Sequence, residues 1–237
     1  MKKAYVIGKN ASKSLSPTIF NYWFKKNNIS ATYGFLEVNN KNFDKKIKTL
    51  IKNKDVNGIN VTIPYKTRII KYLDALDKHS KKINAVNCVI FGEKIKGTNT
   101  DWEGYYKTIP KKVDKKKMSV MLLGYGGAAL AIHYVLKTKG FKEILIFNRT
   151  KKIISFNKNI KYTKDITKQT NHLEKANLII NTTPINPIKP KNTKLVNEKT
   201  LISDIVYTPK ETPFLKNFPN NKKIYGISML LEQAALS

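Results

Sequence analysis

A chain of 237 residues, 41% hydrophobic and 26% charged, is long enough for one large or two modest domains and has a globular composition. Its formal net charge of +29 is spread along the whole length as lysine, with Arg68 and Arg149 the only arginines; no basic stretch carries a nucleic-acid-binding signature, and the abundance of Lys, Asn and Ile, which share A/T-rich codons, accounts for the charge without a polyanionic partner. One cysteine, Cys88, excludes an internal disulfide and fits a reducing, cytoplasmic setting, while His79, His133 and His172 are too scattered for metal-ligand spacing, so no metal is expected.

The opening MKKAYVIGKN has too short an apolar run for a signal peptide and reads as a strand over Ala4–Gly8. In Ser14-Leu15-Ser16-Pro17, Ser16 at the N-cap and Pro17 at the first helical position start a helix through Ile19, Phe20, Trp23 and Phe24. Two hydroxyls beside a helix N-terminus can hold a small carboxylate; capping alone needs Ser16 and leaves Ser14 over. A strand over Thr32–Val38 and a helix marked by Phe43, Ile47, Leu50 and Ile51 follow. A third strand, Gly58–Ile63, runs into Asn60-Val61-Thr62-Ile63-Pro64-Tyr65-Lys66. Pro64 stops the ladder. Asn60 and Thr62 are polar inside a run that should be buried, which directs both at a ligand pocket on the carboxyl edge of a sheet. Lys66 is expected to open a helix with Ile69, Ile70, Leu73 and Leu76 on its buried face. A cation there opposes the helix dipole, which argues for another role, against the even alternative of a solvated lysine.

Ile83–Phe91 and Glu93–Gly97 flank Gly92 as a hairpin, with Asn87 a polar interruption. Gly97-Thr98-Asn99-Thr100-Asp101 leads into a helix over Trp102–Ile109, for which local rules make Asp101 an N-cap. Lys111–Lys117 reads as a solvated linker. Val120–Leu123 has the length of a buried parallel strand, and Gly124-Tyr125-Gly126-Gly127-Ala128-Ala129 is a G-x-G-x-x-A turn opening a helix, the arrangement that brings backbone N–H groups to a pyrophosphate. Met118–Leu136 contains no Asp, Glu, Lys or Arg, so a membrane span is the alternative; three glycines and the strand-like Lys142–Thr150 that follows oppose it. That strand ends in Asn148-Arg149-Thr150 with no carboxylate for a ribose 2′-hydroxyl, so a 2′-phosphate fits better. Residues 153–176 give no clear pattern. Further strands are read over Ala176–Asn181, Leu201–Val206 and Lys223–Gly226, and a last helix over Ser228–Leu236.

In order and spacing, these motifs resemble the shikimate dehydrogenase family along nearly the full chain: Ser14-Leu15-Ser16-Pro17, Asn60–Lys66, Ala85-Val86-Asn87, Gly97–Asp101, Gly124–Ala129, Asn148-Arg149-Thr150, Asn181-Thr182-Thr183-Pro184, Asp204–Pro209, and Gly226 with Met229, Leu230 and Gln233. The resemblance implies a two-domain α/β fold. Residues 1–100, completed by a C-terminal helix over 228–237, would form a mainly parallel α/β substrate domain, and 101–227 a Rossmann-like NADP-binding domain. It implies NADPH-dependent, reversible reduction of 3-dehydroshikimate to shikimate on the route to chorismate and the aromatic amino acids, by a cytoplasmic monomer or homodimer without membrane or specific nucleic-acid partners.

The resemblance further implies that Lys66 and Asp101 form the catalytic pair, that Ser14 and Ser16 take the substrate carboxylate, and that Asn60, Thr62, Asn87, Asp101 and Gln233 take its hydroxyls, with Tyr207 on the substrate side. For NADP(H) it implies Gly124, Tyr125, Gly126, Gly127, Ala128, Asn148, Arg149, Thr150 and Thr182, with Ile205, Gly226 and Met229 on the nicotinamide side. Hydride delivery to a ketone builds charge on oxygen, which requires a proton donor or oxyanion stabiliser, and Lys66 is the motif residue able to serve. The chain departs from the family pattern at Phe20, often His; Asn84, usually Gly; Tyr125, commonly Ala; and Ile185-Asn186 after Pro184. A quinate/shikimate dehydrogenase of broader specificity, or a decayed relative binding polyanions non-specifically, are the alternatives.

Overall fold

The computed structural model describes residues 1–148, 160–162 and 170–237. Arg149 and Thr150 lie outside the described residues. The chain divides into two compact units, Met1–Asp101 with Gln233–Ser237, and Trp102–Glu232.

In the first unit the described strands are β1 (Lys2–Gly8), β2 (Ala31–Glu37), β3 (Val56–Val61), β4 (Ala75–Leu76), β5 (Cys88–Ile90) and β6 (Lys96–Thr98), in the sheet order β2-β1-β3-β5-β6-β4. β1 pairs parallel with β2 and β3, and β4 with β6, whereas β5 is antiparallel to β3 and β6. Helices α1 (Ser16–Lys26), α2 (Phe43–Lys52) and α3 (Lys78–Ile83) cover it. Both faces are apolar because side chains alternate along each strand. On β1, Ile7 joins one core with Ile47, Ile59 and Val61, and Val6 joins another with Ala11 and Tyr33.

Three expectations change here, the first being the strand read over Ile83–Phe91, which shortens to Cys88–Ile90 because Ile83 ends α3. The helix expected at Lys66 is a 3-10 turn over Arg68–Tyr72, followed by the short β4. The Asp74 and Ala75 amides donate to the Ile95 carbonyl at 2.9 and 3.3 Å, which draws that segment to the sheet edge instead of into another helical turn. The helix-start assignment also shifts. Ser16 begins α1, and its amide donates to Ser14 Oγ at 3.1 Å, so the side chain that takes up the helix's first N–H is that of Ser14.

In the second unit the described strands β7 (Ser119–Leu123), β8 (Glu143–Asn148), β9 (Ile160–Tyr162), β10 (Leu178–Asn181), β11 (Leu201–Asp204) and β12 (Lys223–Tyr225) form one sheet in the order β12-β11-β10-β7-β8-β9, all its pairings parallel. Counted from β7, this is the 6-5-4-1-2-3 order of the doubly wound dinucleotide fold. Its described helices are α4 (Asp101–Thr108, entered from the first unit), α5 (Gly127–Thr138), α6 (Thr170–Lys175), α7 (Pro190–Thr193), α8 (Pro213–Lys216) and α9 (Gly226–Ala235), whose residues from Gln233 on belong to the first unit. Each central strand feeds two cores. Val120, Leu122, Ile144, Ile146, Leu178 and Ile180 pack on one face, and Met121, Leu123, Leu145, Phe147 and Ile179 on the other. The apolar stretch Met118–Leu136 is thus a buried strand, a turn and a 12-residue helix. Among the described residues no helix is long and apolar enough to cross a membrane.

Candidate active site and dinucleotide turn

The first unit gathers polar residues at the ends of β3 and β5 and at the start of α4. Tyr65 stacks on Phe43 with ring centroids 4.3 Å apart, and its hydroxyl donates to the Val38 carbonyl. That anchors the turn after β3. The Val86 amide ties the next residue down by donating to the Lys66 carbonyl at 2.7 Å. Lys66 is 8% exposed, and its Nζ lies 2.5 Å from Oδ2 of Asp101, itself 3% exposed. Asn99 orients this carboxylate. Its Nδ2 donates to the Ala85 carbonyl, and its Oδ1 accepts from the Asp101 amide. Asp101 therefore heads α4, but both carboxylate oxygens reach side chains of the site, Oδ1 accepting from Asn87 Nδ2 at 3.0 Å. Local capping rules pointed elsewhere because the partner lies 35 residues back in the chain.

Asn87 is the hub. It is 2% exposed; its Oδ1 accepts from the Thr100 amide, and its Nδ2 lies 2.9 to 3.1 Å from Thr100 Oγ1, Asp101 Oδ1 and Gln233 Oε1. Two hydrogens face three acceptors, so the group is under-supplied with donors and fit to exchange partners with a hydroxyl-bearing ligand. Asn60, on the face of β3 opposite Ile59 and Val61, donates from Nδ2 to the Asn87 carbonyl and to Ser237 Oγ, both at 3.1 Å. Thr62 follows β3 half-buried. Ser14 and Ser16 have hydroxyl oxygens 3.1 Å apart at the start of α1.

Sequence reasoning did not single out Tyr33, Thr100 or Ser237. Tyr33 donates to Asn60 Oδ1 at 2.6 Å, which fixes the amide so that its NH₂ faces the other site groups. Burial pushes the Tyr33 hydroxyl well above the usual tyrosine range, with Cys88 adding to the effect, so it stays a donor. Its backbone is held on both sides by the Asn21 amide, and Phe20 stacks on its ring at 4.3 Å. Thr100 Oγ1 lies within 3.2 Å of Ser237 Oγ. The legible signal was Thr100 inside its motif; Tyr33 and Ser237 carried none. Burial also pushes the Cys88 thiol up to about 11, so it is no thiolate nucleophile at neutral pH. Asn84 ends α3 at φ 55° and ψ 39°, a left-handed cap in which Asn is tolerated nearly as well as Gly.

In the second unit, Gly124 follows β7 and Thr182 follows β10, the neighbouring strands between which the order reverses. Gly124 has φ +95°, and a Cβ there would lie 2.6 Å from Thr182 Oγ1; that hydroxyl donates to the Leu123 carbonyl at 2.7 Å. A Cβ on Gly226 would lie 2.5 Å from the carbonyl oxygens of both Ile205 and Val206, so only glycine admits this approach. By contrast a Cβ on Gly126 would meet nothing within 4 Å. The turn is crowded beneath and open at Gly126, just before the N-terminus of α5 with Gly127 and Ala128, which is the shape a pyrophosphate cradle requires. Met229 is 7% exposed in the core that also includes Ile205; Tyr207 and Asn148 are half-buried. Asp204, at the end of β11, accepts from the Val206 amide and from Thr212 and Asn181, bracing the segment that carries Ile205 and Tyr207; burial pushes its carboxyl up. No group of three or more His, Cys, Asp and Glu among the described residues could hold a metal.

A doubly wound sheet with a glycine turn at its switch point, in a chain whose other unit is α/β and holds a buried lysine–carboxylate pair, defines a dinucleotide-binding protein of the two-unit α/β type. Residues 6–89 match the sequence model of the shikimate dehydrogenase substrate binding domain. A Clostridium botulinum protein named shikimate dehydrogenase (NADP(+)) is 38% identical over 240 residues, covering 97% of this chain and 92% of the relative. The crystal structure of shikimate dehydrogenase from Aquifex aeolicus superposes with a TM-score of 0.86 at 31% identity, over 99% of this chain and 90% of that one. The Listeria monocytogenes enzyme, solved in complex with shikimate and NAD, gives 0.81 at 26% identity over 100% and 90%. The chain belongs to the shikimate dehydrogenase family.

Proposed function

We propose that this chain catalyses the reversible, NADPH-dependent reduction of 3-dehydroshikimate to shikimate. The observation that carries the reading is the buried Lys66–Asp101 pair bound through Asn87 to Gln233, in a chain of this family. The unit Met1–Asp101 with Gln233–Ser237 takes the substrate, and the unit Trp102–Glu232 takes the dinucleotide. When bound, NADPH supplies the hydride that reaches the ketone carbon. Lys66 holds the proton that the developing alkoxide needs, and its ammonium stabilises that charge where water is excluded. Asp101 fixes the ammonium and accepts from a substrate hydroxyl, while Asn60, Thr62, Asn87 and Gln233 orient the ring hydroxyls and Tyr207 lines the same side. Ser14 and Ser16 donate to the carboxylate. In the reverse direction Lys66, deprotonated, accepts the proton of the alcohol. The enzyme acts in the cytoplasm as a monomer or homodimer, on small molecules, with the charge of +29 a compositional trait.

The experiment is an absorbance assay of NADPH oxidation with 3-dehydroshikimate, with shikimate and quinate run in reverse. Ketone-dependent oxidation is expected; none at any substrate concentration would sink the reading. Cofactor choice rests on the stretch after β8. Asn148-Arg149-Thr150 contains no carboxylate, and a guanidinium grips a 2′-phosphate through paired, charge-assisted hydrogen bonds. Arg149→Ala is expected to weaken NADPH by about 1.5–3 kcal/mol, the scale of a hydrogen bond to a charged group, and to leave NADH nearly unchanged. Comparing kcat/KM for both cofactors decides it, and equal losses would remove Arg149 from phosphate recognition.

A further inference from the structure

Tyr125 sits between Gly124 and Gly126 in the turn after β7, and its side chain is buried, 4% exposed, in the core on one face of the sheet. Its hydroxyl lies 2.8 Å from Nδ1 of His133, eight residues on in the second turn of α5, and the two rings approach at 5.7 Å with a 57° tilt. The chain already joins turn and helix at Gly127; the side-chain contact joins them a second time, two helical turns along. This geometry matters for an anion site. Donors of the turn and of the helix N-terminus must converge on one ligand, and a segment with glycine at 124, 126 and 127 has the most backbone freedom to lose on doing so. A loop held beforehand in its bound form binds more tightly because that loss is smaller. Burial, with Lys137 acting in the same direction, holds the His133 imidazole down at about 4, so a neutral ring faces the phenol at ordinary pH.

We propose that the Tyr125–His133 contact is a lock that pre-sets the dinucleotide turn: Tyr125 and His133 are positioning residues for the pyrophosphate donors at Gly126, Gly127 and Ala128, acting through the backbone they hold. This rests on the dinucleotide reading given above.

The test compares the full chain with Tyr125→Phe, which keeps the ring and removes the hydroxyl; His133→Leu; His133→Asn, whose amide places a polar atom near the Nδ1 position; and the double variant Tyr125→Phe/His133→Leu. Two readouts are used: NADPH affinity by calorimetry, and amide hydrogen exchange of residues 124–128 in the ligand-free chain. Tyr125→Phe and His133→Leu are each expected to raise the NADPH Kd about three- to tenfold, the scale of one neutral hydrogen bond, with no further loss in the double variant. The turn amides exchange faster, the KM for 3-dehydroshikimate is unmoved, and His133→Asn recovers most of the affinity. Single variants within about twofold of wild-type affinity, single losses that add in the double variant, or an equal loss in ketone KM, would overturn the lock while the functional reading stands. A folded wild-type chain that binds no dinucleotide overturns both.

Discussion

Replacing Lys66 by alanine is expected to lower kcat by about 10²–10⁴, the loss usual when a general acid–base group is removed, while the NADPH Kd stays within about twofold of wild type. Hydride arriving at the carbonyl carbon leaves negative charge on oxygen. The group proposed to meet it is an ammonium 8% exposed and 2.5 Å from a carboxylate, where low solvent access strengthens every charge interaction. Other candidates are weaker by chemistry: the Cys88 thiol is pushed up to about 11, and the Tyr33 hydroxyl is given to Asn60. Lys66→Arg should not restore the rate, because a planar guanidinium neither fits the same point nor gives up a proton at neutral pH. The measurement is kcat and kcat/KM with saturating NADPH beside calorimetric NADPH binding. A variant keeping more than about a tenth of wild-type kcat removes Lys66 from the role.

Asp101→Ala is expected to destabilise the fold by about 3–5 kcal/mol, whereas the double variant Lys66→Met/Asp101→Leu is expected to restore stability to wild type or above without restoring turnover. Both side chains are buried, at 10% and 5% exposure for Lys66 and Asp101. Removing the carboxylate alone leaves an ammonium without its counter-charge in a place poor in water. Removing both charges takes away two desolvation costs, and Asn87 still has Thr100 and Gln233 as acceptors. The pair is then present for chemistry and not for stability. A chain of two units need not unfold in one step, so the comparison is of urea midpoints for the transition that the Asp101→Ala change moves. A double variant as unstable as Asp101→Ala would mean that the ion pair and its hydrogen bonds stabilise the fold in their own right.

The sequence by itself determined five of the six described strands of the second unit; β9 falls within residues 153–176, which gave no clear pattern. Continuous apolar runs such as Val120–Leu123 can be satisfied only by a sheet covered on both faces, and the alternation of Val120 and Leu122 against Met121 and Leu123 into two cores is that requirement met. The glycine turn was legible as well, and φ +95° at Gly124 disfavours a side chain whatever surrounds it, whereas at Gly226 it is the tertiary approach of the Ile205 and Val206 carbonyls that excludes one. Asn60, Thr62 and Asn87 were legible as polar interruptions of apolar runs and Lys66 as a cation set against a helix dipole, whereas Asp101 joined them only through the family resemblance. Their partners were not. Ser14 rather than Ser16 takes the first amide of α1, and Asp101 turns to Lys66 and Asn87 where local rules make it a cap. Ile69, Ile70, Leu73 and Leu76 have helical spacing, yet the Ile95 carbonyl draws Asp74 and Ala75 to the sheet edge. Tyr33 governs Asn60 from 27 residues away, and His133 reaches back to Tyr125 across two turns of helix. Apart from the Ser14 contact, which is local, each of these partners lies beyond the reach of neighbour rules. Only tertiary structure selects them, because a hydrogen bond gains most where packing has already removed water from both partners.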